Sequence, residues 1–304
     1  MRHDKGMGII NQIMSILKEI SFGVFHFEIG MLLRTTMLIN GILYNTEALF
    51  NIQQSHIDKL EECDKSLMRK LFNTELGTPI ESYYLETSAW PLRFIIMARQ
   101  FMFYWTMLQK SESELAKQVF IAQGQFPSKK KDDWVSQVQG DLKSCGINYQ
   151  DDELRRMSEY RFKKLIKEQI QLKVMGHLFA LQNKHSKSEK LVFKGSMQPY
   201  LISSDLSTQN KQILFKLRSK MFKIKANYSS MYRNNMQCSL CEQVGTIENE
   251  EHLLVCSRLT DHPSLKDDIG TVQYSDVFSS NGQKQQLATK VFKQIMYIYD
   301  RNRN

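Results

Sequence analysis

The sequence has few cysteines and no long uninterrupted apolar run, and both shortages limit what the protein can be. Five cysteines among 304 residues do not make an even disulfide framework, and no signal peptide opens the chain, so we expect a reducing, intracellular location, nuclear or cytoplasmic. The most apolar stretch, residues 22–44, is interrupted by His26, Glu28, Arg34 and Asn40. A bilayer-spanning helix needs about 20 predominantly apolar residues. We therefore predict a core helix here and no membrane partner.

Strand signals are also scarce, whereas helix signals recur along the whole chain. The composition, 42% hydrophobic and 24% charged, allows a sizeable core. Ser55 and Asp58 resemble a capping box before a helical-period apolar stripe, and Pro91 suits the first turn of another helix. The predicted helices cover residues 55–72, from 91 to about 108, a segment opening at 111, and residues 151–183, 208–225 and 283–299. The sequence therefore predicts a mainly α fold.

Four metal-ligand side chains lie close together near the end of the chain. Cys238, Cys241, His252 and Cys256 have the spacing Cys-x2-Cys-x10-His-x3-Cys. A tight turn brings the first pair together, and one helical turn brings the second pair together. Three thiolates and one imidazole would fill a tetrahedral Zn²⁺ shell and leave no position for an activated water, which predicts a structural zinc site. Scattered cysteines and a surface histidine are the alternative, but three of the five cysteines lie within nineteen residues.

Acidic residues are missing from the segment that precedes the first of these cysteines. The chain carries a net charge of +9 and has a pI near 9.2, which indicates a polyanionic partner. Four aromatic residues within residues 206–237 could stack on bases or pack inward. The same segment has no aspartate or glutamate and seven basic residues, namely Lys211, Lys216, Arg218, Lys220, Lys223, Lys225 and Arg233. We predict a nucleic-acid-binding surface, and the alternative is a solvated basic helix whose aromatic residues face the core.

Several blocks of sequence, taken in order, resemble non-LTR (LINE-type) retrotransposon reverse transcriptases. Residues 30–34 (GMLLR) and 39–47 (INGILYNTE) are similar to the stretch that follows the polymerase palm in that family. Further similar blocks are residues 78–87 (TPIESYYLET), 91–96 (PLRFII) with Arg99, 184–187 (KHSK), 197–201 (MQPYL) and the terminal Cys-Cys-His-Cys cluster. Their collinear order is more specific than the cysteine spacing alone.

The resemblance implies a helical thumb followed by a nucleic-acid-binding region that ends in a zinc knuckle. It implies a thumb-like bundle over residues 1–125, a helical connector over 126–205, a basic segment with the knuckle over 206–260 and a tail helix within 261–304. The parent enzymes copy RNA into DNA with carboxylates that hold two metal ions. Only 29 residues precede Gly30, so we expect this chain alone to lack the polymerase centre. The implied partners are RNA or DNA, or both, and the missing polymerase portion.

Other patterns in the chain resemble catalytic motifs only in part. Residues 149–152 spell the Tyr-x-Asp-Asp of polymerase centres, but they lead into a helical start and predict a helix amino terminus. Asp261, Asp267 and Asp268 with Lys266 are candidates for a nuclease, which needs strands around a metal that this segment does not predict. Two other functions stay open: a stand-alone zinc-dependent nucleic-acid-binding or regulatory protein, and a structural module whose partner is another protein.

Overall fold

The protein is mainly α-helical, as the sequence predicts. The computed structural model describes residues 2–19, 23–49, 52–125, 133–184, 186–228, 231–232 and 235–303. No β-strand occurs within these ranges. The α-helices, in chain order, are α1 (Arg2–Glu19), α2 (His26–Leu33), α3 (Asn40–Ile42), α4 (Gln54–Phe72), α5 (Ile80–Thr87), α6 (Leu92–Gln109), α7 (Leu115–Gln125), α8 (Trp134–Ser144), α9 (Asp151–Arg156), α10 (Glu159–Gln182), α11 (Pro199–Ile202), α12 (Thr208–Arg218), α13 (Glu250–Val255), α14 (Ser257–Thr260) and α15 (Gly282–Arg303).

Two of the predicted helix starts differ from the structure. Helix α4 begins at Gln54, whose Nε2 donates to Asp58 Oδ1 at 2.6 Å, so Ser55 is not the capping residue. The helix predicted to open at Ser111 begins four residues later, as α7. The Ser111 amide still donates to the Glu114 carboxylate at 3.2 Å, which closes a turn ahead of the helix. In both cases a hydrogen bond forms near the predicted helix start, but the helix itself begins at a different residue.

Two predicted long helices are shorter because the backbone leaves the helical region. The one predicted over 151–183 is divided between α9 and α10, and buried Met157 is extended at the break with φ −71° and ψ 139°. The one predicted over 208–225 ends with α12, because Lys220 adopts a left-handed φ of 49°. The Met221 amide then donates to the Lys216 carbonyl at 2.7 Å, as in the closing bonds of many helices.

The apolar stretch over residues 22–44 is a helical core segment, apart from residue 22, which lies outside the described ranges. A wide π-helical turn, Arg34–Ile39, links α2 to α3. Buried Arg34 donates to both oxygens of Asp64 at 2.6 Å and to the Trp90 carbonyl at 3.2 Å. The positive charge of Arg34 is therefore neutralised inside the protein. Across the described ranges, no helix has the length and apolar character that crossing a membrane requires.

The chain forms two compact units, each assembled from separate stretches of sequence. The first unit comprises Met1–Ile16, Leu32–Leu67 and Ala89–Ala180, and the second comprises Leu17–Met31, Met68–Ser88 and Leu181–Asn304. The domain boundaries expected at residues 126, 206 and 261 stay predictions. Residues 126–132, around the first of them, lie outside the described ranges.

An aromatic cluster fixes α12 in the core of the second unit. The rings of Phe72 and Phe215 lie 4.2 Å apart between centroids, and Tyr83 stacks on Phe215 at 5.3 Å with nearly parallel planes. Such pairs add specific geometry to the burial of apolar area. Phe222 is also buried and packs near Phe292 of α15. The phenylalanines of the basic segment therefore face the core, which is the alternative that the sequence left open.

Helix α10 has one buried stripe and one exposed apolar stripe. The buried residues recur every four positions, at Phe162, Ile166, Ile170, Val174 and Leu178. On another face, the exposed fractions of Leu172 and Phe179 are 61% and 63%, and Met175 is also exposed. Large apolar side chains exposed together on one helix face are typical of an interaction surface.

Candidate metal centre

A short antiparallel hairpin positions the first two cysteines. Residues 236–238 lie beside residues 246–248, and the Cys238 amide donates to the Thr246 carbonyl at 3.2 Å. The turn between these segments carries Cys241. A hairpin this small is marginal in water without further support, so its order depends on what the turn is attached to.

The turn reverses within a few residues because two of them adopt left-handed backbone conformations. Glu242 has φ 52° and Gly245 has φ 85°. Glycine reaches this region without the steric cost of a Cβ atom. The Glu242 carbonyl also accepts from Gln237 Nε2 at 2.6 Å, which braces the turn across the hairpin.

Helix α13 supplies the other pair of ligands. Asn249 caps this helix, and its side-chain oxygen accepts from the His252 amide at 2.7 Å, which places His252 in the first turn. The helix ends at Val255, and buried Cys256 follows. Residues four apart lie on the same face of a helix. His252 and Cys256 therefore point toward the hairpin together.

The four side chains form a compact Cys3His cluster. Their ligand atoms all lie within 4.8 Å of one another. The Cys238 and Cys256 sulfurs are 4.0 Å apart, and the Cys241 sulfur is 3.4 Å from His252 Nε2. Tetrahedral Zn²⁺ would separate two sulfurs by about 3.8 Å and a sulfur and a nitrogen by about 3.6 Å, from its usual bond lengths. The cluster could therefore hold a metal ion, and its size and donors are compatible with Zn²⁺.

Burial controls the protonation of three of the four ligands when no metal is bound. It raises the pKa of Cys256 to about 12, raises the pKa of Cys238 and lowers the pKa of His252. At Cys241 a smaller burial also acts to raise the pKa, but hydrogen bonds from the Gln243 amide and from neighbouring groups lower it overall. Metal binding would therefore have to displace thiol protons, while the imidazole is already in its neutral ligand form.

Glu248 lies at the base of the cluster, and sequence reasoning missed it. Its side chain is fully buried. One oxygen accepts from the Lys225 amide at 3.0 Å and from the Tyr299 hydroxyl, and the other accepts from the amide and the hydroxyl of Ser239 at 2.8 and 2.6 Å. Ser239 lies between the two hairpin cysteines, and Tyr299 belongs to α15. One carboxyl group thus connects the basic segment, the cysteine turn and the terminal helix.

Two of the basic residues predicted to contact nucleic acid are internal instead. Lys211 is fully buried, and its ammonium donates to the Val24 carbonyl at 2.5 Å. Arg218 is also buried and donates to Glu86 Oε1 at 2.9 Å and to the Val277 carbonyl at 3.2 Å. Both charges are satisfied by groups of the second unit. These two residues stabilise the fold, and the prediction that they contact nucleic acid is wrong.

The other basic residues of the segment differ in their exposure and in their partners. Lys223 pairs with Glu75 at 2.6 Å at an exposed position, and Lys225 donates to the Gln237 carbonyl at 2.6 Å. Lys216 is half-buried, which lowers its pKa. Lys220 is partly exposed. Arg233 lies outside the described residues.

The catalytic look-alike at residues 149–152 is the beginning of a helix, as predicted. Helix α9 begins at Asp151, and the Gln150 amide donates to the Glu153 carboxylate at 2.8 Å. Asp151 accepts from the Tyr104 hydroxyl at 2.7 Å. Among the nuclease candidates, Asp268 pairs with Lys290 of α15 at 2.6 Å. No strand within the described ranges could hold either kind of metal-dependent centre.

Comparison with known proteins identifies no relative, since no family model, no curated protein and no solved structure matches the chain. The basis for a function is therefore the geometry of the cluster and the sequence blocks themselves.

Proposed function

We propose that the chain is the nucleic-acid-binding, carboxyl-terminal portion of a non-LTR retrotransposon reverse transcriptase, with structural Zn²⁺ in its Cys3His cluster. The observation that carries the proposal is the four-ligand cluster, which follows a basic segment and a series of blocks that resemble this family in order. Under this proposal the chain alone has no polymerase activity, and it acts with the polymerase portion of the same element in the nucleus or cytoplasm.

Zinc would act on the fold and not on a substrate. Three thiolates and one imidazole leave no open coordination position, so the ion would not activate water. The hairpin and α13 are short, and metal binding would supply free energy that their small apolar contacts cannot. Metal binding would thereby hold residues 236–256 of the second unit in one conformation.

Electrostatic attraction between lysine side chains and the phosphates of RNA or DNA would drive binding. Lys216, Lys220, Lys223 and Lys225 remain at or near the surface of the second unit. Neutralising phosphates with such side chains releases condensed counterions, so affinity falls steeply with salt. Because contacts of lysines with phosphates carry no sequence information, we expect weak sequence preference.

The test combines metal content with binding to RNA and to DNA over a salt series. Charge reversal of Lys220, Lys223 and Lys225 should weaken binding and flatten its salt dependence. A matched control reverses Lys163, Lys164 and Lys167, three exposed lysines on α10 in the first unit. Equal affinities of the parent and the first variant would reject the basic segment as a binding surface. A genomic reading frame without any palm-like segment upstream would remove support for the reverse transcriptase origin.

A protein-interaction module is the second candidate, and the exposed apolar stripe on α10 favours it. Leu172, Met175 and Phe179 are spaced to form one face, and they would be covered by another protein. The double change Leu172→Ser with Phe179→Ser should then abolish association with that protein without changing the helix content. Retained nucleic-acid binding by this variant, with no change in its state of association, would argue against this candidate.

A further inference from the structure

A polar cleft with a volume of about 490 Å³ opens in the second unit next to the metal cluster. Three of its lining residues are lysines from two places in the sequence, Lys187 and Lys190 from one and Lys220 from the other. Its volume falls within the range of ligand sites, but its lining is more polar than that of most small-molecule pockets. Asn249, which caps the helix carrying His252, forms part of one wall. The cleft and the metal cluster thus share a structural element.

Lys187 is a half-buried cation with only weak partners. Its ammonium lies 4.3 Å from the centroid of the Tyr228 ring and 3.9 Å from the Met221 sulfur. Burial lowers the pKa of Lys187, because the charged form has lost part of its water shell. Within the part of the chain that the structure describes, no carboxylate forms an ion pair with it. A desolvated ammonium of this kind favours an anion.

Lys220 reaches the cleft from a strained position at the end of α12. Its φ of 49° is uncommon for a residue with a long side chain. The hydrogen bond from the Met221 amide to the Lys216 carbonyl closes the helix around it and holds this conformation. No hydrogen bond or ion pair of its ammonium is found among the described residues. The fold thus presents a second available cation beside Lys187.

The acidic residues of the cleft only partly offset the lysines. Glu250 is buried and accepts from Asn227 Nδ2 at 2.7 Å. Glu251 is exposed and lies 4.0 Å from the Lys190 ammonium, at the limit of an ion pair. Three ammonium groups therefore face one solvated carboxylate and one that is largely withdrawn into the protein. The cleft keeps a positive excess.

We propose that this cleft binds the phosphate groups of a single-stranded nucleic acid, an inference that rests on the proposed nucleic-acid-binding function. Lysines act as point charges toward phosphate and do not require one orientation of the ligand. A flexible single strand can bend its phosphates into a concave site, whereas a duplex presents them on a stiff, convex surface. The three lysines converge through the tertiary fold, so the site takes two of its charges from outside the basic segment 206–237.

The test compares a cleft variant with a charge-matched control in the full chain loaded with zinc. The cleft variant is Lys187→Gln with Lys220→Gln. The control is Lys266→Gln with Lys293→Gln, two exposed lysines of the same unit. Fluorescence anisotropy with short single-stranded RNA and DNA, over a salt series, gives the slope of log affinity against log salt. Each lost phosphate contact should lower this slope by about 0.7, so we expect a fall of about 1.4 for the cleft variant.

The possible outcomes separate the cleft from the function on which it rests. A reduced slope in the cleft variant and an unchanged slope in the control support the cleft. If the parent binds and both variants keep its slope, the cleft is rejected while nucleic-acid binding stands. If the parent protein binds no oligonucleotide at low salt, both the cleft proposal and the nucleic-acid-binding function are rejected. Equal binding of mononucleotides, or tighter binding of duplex, rejects the single strand as the ligand.

A second variant protects the test against misfolding. Lys190 is exposed, so Lys190→Gln should fold normally and lower the slope by about 0.7. An unchanged slope in this variant would count against the cleft. Metal content and the circular dichroism spectrum, measured for every variant, show whether a loss of binding accompanies a loss of structure.

Discussion

Replacing Glu248 should loosen the metal centre although this residue is not a ligand. All four groups around its carboxyl are donors: the amides of Lys225 and Ser239 and the hydroxyls of Ser239 and Tyr299. In Glu248→Gln, one acceptor oxygen becomes an amide nitrogen that faces one backbone amide and one hydroxyl. The hydroxyl can turn and accept from the new nitrogen, but the backbone amide loses its acceptor. Losing a hydrogen bond to a charged group costs about 1.5–3 kcal/mol, and the remaining bonds weaken because they no longer go to a charged group, so we expect a total cost of roughly 3 kcal/mol.

The loss should appear first as weaker zinc binding. Ser239, which Glu248 holds, is one of the two residues between the hairpin cysteines, so loosening it should disorder the ligand set before the rest of the second unit unfolds. A cost of about 3 kcal/mol corresponds to roughly a hundredfold in affinity, because about 1.4 kcal/mol is tenfold. Mutating groups that orient metal ligands typically costs 10–100-fold in affinity. We therefore expect zinc to be held about a hundredfold more weakly.

Competition for zinc with a chromophoric chelator measures this effect. Glu242→Gln, an exposed change in the same hairpin, is the control and should bind zinc as the parent does. Tyr299→Phe removes one donor and should weaken binding less than Glu248→Gln. Parental affinity in Glu248→Gln would refute the reasoning, because the buried carboxyl would then contribute nothing to the ligand arrangement.

Three further predictions concern the cluster, a buried ion pair and a half-buried histidine. Cys241→Ser should lower bound zinc and increase hydrogen exchange in residues 236–256 while sparing the helices of the first unit; unchanged metal content would contradict it. Glu86→Gln should destabilise the second unit by about 3–5 kcal/mol in chemical unfolding, because it leaves buried Arg218 without its counter-charge; a change below 1 kcal/mol would contradict it. Burial lowers the pKa of His26, so the unfolded chain takes up a proton that the folded chain does not, and the free energy of unfolding should fall as the pH drops below about 6.5. His26→Gln should flatten this pH dependence, whereas His56→Gln, a matched change at an exposed histidine, should leave it unchanged. If the free energy of unfolding depends on pH equally in the two variants, the assignment to His26 is refuted.

The metal ligands could be predicted from the sequence because their geometry is local. Cys238 and Cys241 are joined by one turn, and His252 and Cys256 by one turn of helix. Spacing alone therefore specifies both pairs. The main helices could be predicted for the same reason, since their apolar periods and punctuating residues are local signals.

The roles of the basic residues could not be predicted because they depend on distant partners. Lys211 donates to Val24, and Arg218 pairs with Glu86, in each case across more than a hundred residues of sequence. In the sequence, a run of lysines and arginines without acidic residues looks like a nucleic-acid-binding surface, because the distant partners of these side chains are not visible there. Glu248 is similar, because the Tyr299 hydroxyl that it accepts from lies in the terminal helix. Nothing in the sequence marks it as different from other glutamates.

The discontinuous units have a practical consequence for fragments and for synthesis. Helix α12 is bonded to residues 68–88 through Gln212, which donates to the Leu71 carbonyl, and through Arg218 and Glu86. A fragment cut at residue 126 or 206 would remove these partners and expose the buried charge of Arg218. During translation, residues 17–31 and 68–88 emerge well before residues 181–304, so the second unit cannot close until that last stretch has been made. We therefore expect expression of residues 1–304 together to succeed where segments cut at single sites aggregate.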